Sequence, residues 1–503
     1  MATTVTDITK RILLEHLFSS TQNIGVSPGD SDRYYLGIGR AEEWDSDNAP
    51  PVPNSGVNEQ LRFQESLQSI QIINNISYVV PRYNWTAGNV YSAWSNDYGS
   101  DLGFISSITR IEHPYYVITD DLQVFVCIQQ GKTAQGVSRN SLYKPTDTSG
   151  VPFAAGDDGY IWQFLFAVDA NRSRNFLTSS YIPVEKILDS SEGGPLASDL
   201  SVARTQQLAL QKAAKTGQIL GVAVDSGGTG YTSAPTVTIT PIPRIGSTTI
   251  VEAAQAIANV NSNGQVYEIV MKDSANAPYF TFGEGYKHAH VSVTGGGGSG
   301  AVLRPLITFD SGLQGNHISS LSSSGIMFSN TLTGNVSGDF NVVNDFRQIG
   351  IIKNPLKDSA DFGSFTGVIG DSAVSSATAQ AYHKLYVSGS AGFAANITGD
   401  QTLQQSTSGA KAILDYFDAA NEIAYVHQTR VTGFTAFDST NNISFLQSGS
   451  SIGTCAIVAN TTGPNLRPAE VNNFSGEVIY IDNRSPITRD DEQTEDIKIV
   501  IDL

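Results

Sequence analysis

Residues Ser475–Leu503 read SGEVIYIDNRSPITRDDEQTEDIKIVIDL. Two alternating apolar runs, Val478-Ile479-Tyr480-Ile481 and Ile497-Lys498-Ile499-Val500-Ile501, flank a turn-rich hinge holding Asn483, Pro486 and the acidic run Asp490–Asp496. Period-two alternation bounded by turn residues predicts a strand, a charged connection and a final strand. A strand on its own leaves backbone donors and acceptors unpaired. The last strand must therefore pair with something upstream, and this segment is expected to close a sheet.

The rest of the composition agrees with a β-rich chain. Only 16% of the 503 residues are charged, while Gly numbers 47, Tyr 20 and Phe 22. Low charge with many glycines and aromatics suits short strands and turns rather than helical bundles. The length allows two to four domains. The net charge of −18 repels phosphate backbones, which argues against nucleic acid as a partner. The two cysteines, Cys127 and Cys455, sit in apolar strand-like stretches and read as free buried thiols rather than a disulfide scaffold. No apolar run reaches membrane-spanning length. Asp7, Lys10, Arg11 and Glu15 interrupt any signal-peptide core, so assembly in a cytosol is expected.

Helical spacing of Ile8, Ile12, Leu13 and Leu17 predicts a helix over Thr6–Phe18, capped by Thr6 or Asp7. Leu61, Leu67 and Ile70 predict a second over Glu59–Ile73, and Gln206–Lys215 reads as a helical linker. Strands are expected at Tyr34–Ile38, Tyr116–Ile118, Val124–Ile128 and Tyr160–Val168. An internal repeat follows: Gly217-Gln218-Ile219 with Gly230-Tyr231 in one copy, Gly264-Gln265-Val266 with Gly285-Tyr286 in the other. Two copies of one small β unit are the physical reading. After a Ser/Ala/Gly-rich stretch, Gly370–Ala381, the segment Leu385–Val458 carries five further strand signals and reads as a small barrel or sandwich.

Motifs that could carry chemistry are weak. Gly295–Gly300 (GGGGSG) lacks the Lys-Ser/Thr of a phosphate loop and reads as a turn. His288 and His290 can share a strand face but have no third ligand nearby. Asp157 and Asp158 lack calcium-loop spacing. Glu42, Glu43 and Asp45 form an acidic cluster beside Trp44 with no spacing that marks a glycosidase pair. No nucleophile elbow occurs. Arg40, Trp44, Trp162 and Arg484 are the candidate interface or core anchors, since Arg forms bidentate pairs and Trp buries a large apolar area. No catalytic residue, cofactor or metal is expected.

Four blocks in order, Tyr34–Trp44 (YYLGIGRAEEW), Asp157–Val168 (DDGYIWQFLFAV), Phe346–Pro355 (FRQIGIIKNP) and the closing segment, resemble a known family, with Val79–Trp85 (VVPRYNW) a weaker fifth. The chain resembles the dimeric outer-wedge baseplate protein of T-even-type contractile-tailed bacteriophages. That resemblance implies two β-sandwich-like domains, which with the residue patterns above gives a mainly β, multi-domain β-sandwich with short helices and inserted small β-modules. It implies one domain built from both ends, placed here at residues 1–95 and 340–503 with 96–339 inserted; the repeated unit at 217–307, read from the residues themselves, falls in the inserted part and departs from the family. The module at 383–463 has no counterpart in the family's shorter connection. The resemblance also implies a homodimer that joins other baseplate wedge proteins, with tail-fibre attachment as a further contact. It places the protein in the virion tail after assembly in the host cytoplasm, with no enzymatic, membrane or nucleic-acid role. The rival expectation is a receptor- or glycan-binding tail protein, which the inserted modules and aromatics would serve.

Overall fold

The computed structural model describes residues 7–22, 32–73, 75–96, 114–192, 194–244, 247, 249–274, 280–333, 345–358, 373–399, 401–461, 463–489 and 493–503. Thr6, Gly370–Ser372 and Asp490–Glu492, named above as a cap, part of a linker and part of the acidic run, lie outside them. The protein is mainly β, with 41% of residues in strands against 12% in helices. The chain divides into two compact units, one of Met1–Glu15, Ser77–Met327 and Val500–Leu503, the other of His16–Ile76 and Phe328–Ile499. The expected division ran 1–95 with 340–503 against 96–339. The observed crossings instead fall inside the helix Asp7–Gln22 and the strands Asn75–Pro81, Gly325–Thr333 and Thr494–Asp502.

In the second unit the main sheet has five antiparallel strands in the order Thr378–Gln380, Leu67–Ile72, Tyr34–Gly39, Phe346–Lys353 and Glu477–Ile487. Its centre is the pairing of YYLGIG with FRQIGIIK, in the register Tyr34↔Lys353 to Gly39↔Gln348. Gly37 faces Gly350 across this pairing, and the pair forms a slot. A Cβ at Gly37 would meet Phe63 Cζ at 2.9 Å, and one at Gly350 would meet it at 2.7 Å. Phe63 comes from the helix Val57–Glu65 and is fully buried in that slot. Burial of a Phe of this size is worth about 1.5–3 kcal/mol.

Beyond Glu65 the helix expected through Ile73 stops. Ser66 closes it by donating to Arg62 O, and Leu67–Ile72 is a strand. Leu67, Ile70 and Ile73 have helical spacing, but the segment lies between two strands with its backbone in the ladder. Ser69, a polar residue that weakens any apolar stripe, is buried and donates to Ala379 O at 3.0 Å. Tertiary pairing overrides the local periodicity here.

The segment His383–Ile457 is a closed six-stranded barrel: Ile423–His427, Lys411–Asp418, Gln401–Gln404, Ile443–Gln447, Ser450–Ile457 and His383–Ser388, which returns to Ile423–His427. Closure leaves no free edge among these strands. Leu385, Leu403, Leu414, Phe445 and Cys455 fill the interior.

In the first unit, Tyr116–Ile118, Gln123–Gln129, Ile161–Ala167 and Phe153–Ala154 form one antiparallel sheet. Helix Val202–Ala213 then leads to the repeat, whose two copies interlock. Ile219–Thr229 of the first copy pairs with Ser299–Ile307 of the second, and Val266–Val270 of the second pairs with Ile257–Val260 of the first. The middle strands Thr236–Pro243 and Tyr286–Thr294 pair with each other. Equivalent bonds recur: Tyr231 N donates to Gly264 O and Tyr286 N to Gly217 O, each at 3.0 Å. Gly230 and Gly285 precede these tyrosines with φ of 80° and 92°, a backbone that favours glycine. The module is thus pseudo-two-fold, each half lending its outer strands to the other.

Two substitutions test the glycine slot. Gly350→Val should cost about 1–3 kcal/mol in urea unfolding through overpacking against Phe63. Combining it with Phe63→Ala should cost less than the sum of the two single changes, because the valine then occupies vacated space. Additive losses in that double-mutant cycle would contradict the slot.

Candidate functional site

Three of the four anchors singled out from sequence meet at one end of the main sheet. Between Ile38 and Gly39 the pairing with Leu67–Ile72 shifts register, and just past the strand Arg40 takes a left-handed conformation with φ 62°. For a residue with a side chain this costs about 1–2 kcal/mol. The bend is held by Arg40 N donating to Ser66 O at 2.9 Å. It folds Arg40 back so that its guanidinium lies over the Trp44 ring, 3.8 Å from the centroid. Trp44 Nε1 in turn donates to Arg484 O at 2.9 Å, which ties the first block to the closing strand. The Arg484 side chain pairs with Asp482 at 2.8 Å. Trp162 is elsewhere. It is fully buried in the first unit, stacked on Tyr160 at 5.9 Å and edge-on to Tyr91 at 5.4 Å.

Two buried charge groups at this end were not singled out from sequence. Arg347, buried in the central strand, donates to both oxygens of Asp47 at 2.9–3.2 Å and also to Ala41 O. Asp47 also accepts from Trp44 N, so the loop that bears Trp44 is fixed to the sheet by a planar fork. The second group is His427, buried on the barrel. Its Nδ1 donates to Asp415 at 2.7 Å and its Nε2 to Glu42 at 2.9 Å. Glu42 belongs to the loop after the Tyr34–Gly39 strand, so the imidazole clamps the barrel to that loop.

The electrostatics follow from this geometry. Burial works against charge on His427, but Asp415 and Glu42 outweigh it and raise its pKa well above the ordinary value. Burial likewise opposes ionisation of Glu42, yet the adjacent imidazolium holds its carboxyl down to about 2. Burial raises Asp415, against the pull of His427 and with the repulsion of Glu42 added. Burial, with the charge of His427 added, lowers the neighbouring His383 to about 4, and Arg40 adds to the pull that holds Glu42 down. A further pair, Arg430 with Glu65 at 3.1 Å, holds the barrel to the helix end.

These groups border a cleft of about 750 Å³. Arg40, Glu42, Trp44, Arg62 and Arg430 supply its polar and aromatic wall, and Val52 and Val431 its apolar rim. A second cleft of about 400 Å³ lies in the first unit between Trp94, Gln130, Tyr267 and Glu268. Burial raises the Glu268 carboxyl there, while Asn259 donates to it at 2.9 Å.

The weaker motifs fall as follows. Gly295–Gly300 spans the connection between strands Tyr286–Thr294 and Ser299–Ile307. His288 and His290 are both exposed on one face of their strand, while Ala289 and Val291 turn inward. No group of three metal-ligating side chains occurs among the described residues. Asp158 accepts from Leu142 N and Tyr160 N at 2.8 and 3.0 Å and so builds the turn before its strand. Cys127 and Cys455 are free and buried.

The clamp makes a signed prediction. A pKa raised on folding gives stability that is complete below about 6.5, the unfolded histidine value, and is lost as pH rises through the folded value. The depressed Glu42 adds stability that is present above its ordinary value of 4.5 and lost as pH falls toward about 2. Between those limits His427→Gln should cost about 3–5 kcal/mol, since it strands Asp415. Thermal unfolding from pH 6 to 10 should show a falling midpoint in the native chain and a flatter profile in the variant. Parallel profiles would contradict a charged His427.

No protein-family profile and no curated protein matches this chain.

Proposed function

We propose that this chain is a structural subunit of the tail baseplate wedge of a contractile-tailed bacteriophage. It homodimerises and joins neighbouring wedge proteins in the virion after assembly in the host cytoplasm, and it works through contact surfaces rather than catalysis. One observation carries the reading. Three of the four blocks that resemble the wedge family, separated by hundreds of residues, are neighbours in one sheet: Tyr34–Gly39, Phe346–Lys353 and Glu477–Ile487. Arg40, Trp44 and the Arg484 carbonyl then connect the ends of two of them. Residues that meet in this way in space are what a shared architecture would retain.

The polar chemistry of the second unit supports the same reading. Its buried charge groups, Arg347–Asp47 and His427–Asp415–Glu42, and the half-exposed pair Arg430–Glu65 each join segments distant in sequence. Such groups fix geometry, and a subunit that transmits force through interfaces needs fixed geometry. An obligate interface of the proposed kind buries on the order of 2,000 Å² or more.

Sedimentation equilibrium at micromolar concentration should give twice the chain mass of 53.7 kDa. Antibody labelling of the intact virions that carry this protein should decorate the tail end remote from the head. A monomer at all concentrations, or labelling confined to the head, would contradict the proposal.

A further inference from the structure

The closing strand, Glu477–Ile487, is the outermost strand of its five-stranded sheet, and among the described residues no strand pairs with its other side. Within Glu477–Asp482 no backbone group bonds outside the single ladder to Phe346–Lys353 among the described residues. Trp44 takes the Arg484 carbonyl further along. An open edge of this length is a template for another strand, and proteins that keep such edges apart shorten them or place proline or lysine on them. The opposite edge of the same sheet, Thr378–Gln380, is three residues long. Strand Thr236–Pro243 of the first unit carries Pro241 and Pro243, which have no N–H to donate. Glu477–Ser485 has neither proline nor lysine. Its register shifts lie on either side of Tyr480–Asn483 and leave that stretch as regular ladder.

Apolar surface lies beside this edge. Phe474, in the turn just before the strand, is 42% exposed and packs edge-on against Phe434, which is 55% exposed, with ring centroids 6.1 Å apart. Ile479 on the strand itself is 38% exposed. Aromatic rings held against each other at the surface are of the kind that anchors protein interfaces. The charges on the strand select the partner. Glu477 is exposed at one end and Arg484 at the other, with the uncharged Ile479–Ile481 between them. The Arg484 Nε pairs with Asp482 of its own strand, and its two Nη groups make no bond among the described residues. Parallel pairing in register would set like charges together. Antiparallel pairing of two copies turns each Glu477 toward the other's Arg484, so the edge is self-complementary about a two-fold axis.

We propose that Glu477–Ile487 and the Phe434–Phe474 pair form the surface on which two copies of this chain associate, edge to edge and antiparallel, about a two-fold axis near Ile481. Backbone groups of Tyr480–Asn483 then bond across the axis and join the two sheets into one. Each copy's Phe474 is carried toward the Pro486-Ile487 end of the other, where both residues are half-exposed. Exposed backbone bonds contribute little net stability on their own. They fix the register, while the aromatic pair supplies apolar area to bury. The inference deepens the homodimer reading and rests on it, and it names the surface that the dimer would use.

Sedimentation equilibrium of the full chain, of Ile479→Lys and of Phe474→Asp reads the dissociation constant of the dimer. Each variant should weaken it tenfold or more, since a lysine on an edge opposes pairing and an aspartate opposes apolar contact. Val251→Asp, at an exposed position of the first unit, should leave it unchanged. Both test positions are exposed, and matching circular dichroism spectra would establish that the variants fold. A spin label on Ile479→Cys gives a second readout, because Cys127 and Cys455 are buried. The two labels of a dimer should lie within about 25 Å, since roughly four residues of strand at about 3.3 Å each separate them. A monomer at all concentrations, a dimer that either variant leaves intact, or labels further apart than about 25 Å would overturn the surface. In the last two cases the homodimer itself stands. Antibody labelling confined to the head, with a dimer lost in both variants, would remove the baseplate assignment and leave the surface standing.

Discussion

The second unit depends on one strand, Phe346–Lys353, being gripped on both sides. Tyr34–Gly39 pairs along one edge and Glu477–Ile487 along the other, so the sheet closes only when segments more than three hundred residues apart are brought together. Loop closure over such spans grows only logarithmically in cost, but it must be met before any contact rewards it. The reward is concentrated at this strand. Ile349, Ile351 and Ile352 are buried, Gly350 completes the slot for Phe63, and Arg347 reaches Asp47. Everything described at the cleft is mounted on this sheet or clamped to it.

The clamps are ionic where apolar contact would have been simpler. A buried ion pair is poor evidence for stability, because removing two charges from water offsets most of what their attraction returns. Its usefulness lies elsewhere. Arg347–Asp47 admits one geometry for the loop carrying Trp44, and His427 between Asp415 and Glu42 admits one seat for the barrel on that loop. For the proposed assembly role such definition matters more than an extra kilocalorie of stability. The pseudo-two-fold module of the first unit reaches definition by another route, with each half incomplete until the other supplies its strands.

Much of this was legible in the residues, and what was not has physical causes. Alternating runs such as Val478–Ile481 and aromatic strands such as Tyr160–Val168 announce themselves through their periodicity. The Gly-Gln-Ile and Gly-Tyr signatures announced the repeat, though not that its copies would exchange strands. Leu67–Ile72 misled because its leucine and isoleucines have helical spacing while its backbone is claimed by two neighbours. Gln401–Gln404 gave no signal, being a four-residue barrel strand with glutamine at both ends. Arg40, Trp44 and Arg484 stood out as arginine and tryptophan in unusual blocks. Glu42 stood out only as one of an acidic cluster, Arg347 sat in its block unremarked, and His427 and Asp415 lay outside the blocks. Arg347, Glu42 and His427 matter through a partner hundreds of residues away, and Asp415 through His427 on the neighbouring barrel strand, and pairing of that kind has no local signature.

Native-state hydrogen exchange is the most direct measurement of whether the three distant segments are one structure. Amides of Tyr34–Gly39, Phe346–Lys353 and Glu477–Ile487 that bond across their shared ladders should open together, with a common free energy and a common response to denaturant. Exchange of the Glu477–Ile487 amides at the rate of an unpaired strand, while the other two stay protected, would contradict the sheet on which the whole reading stands.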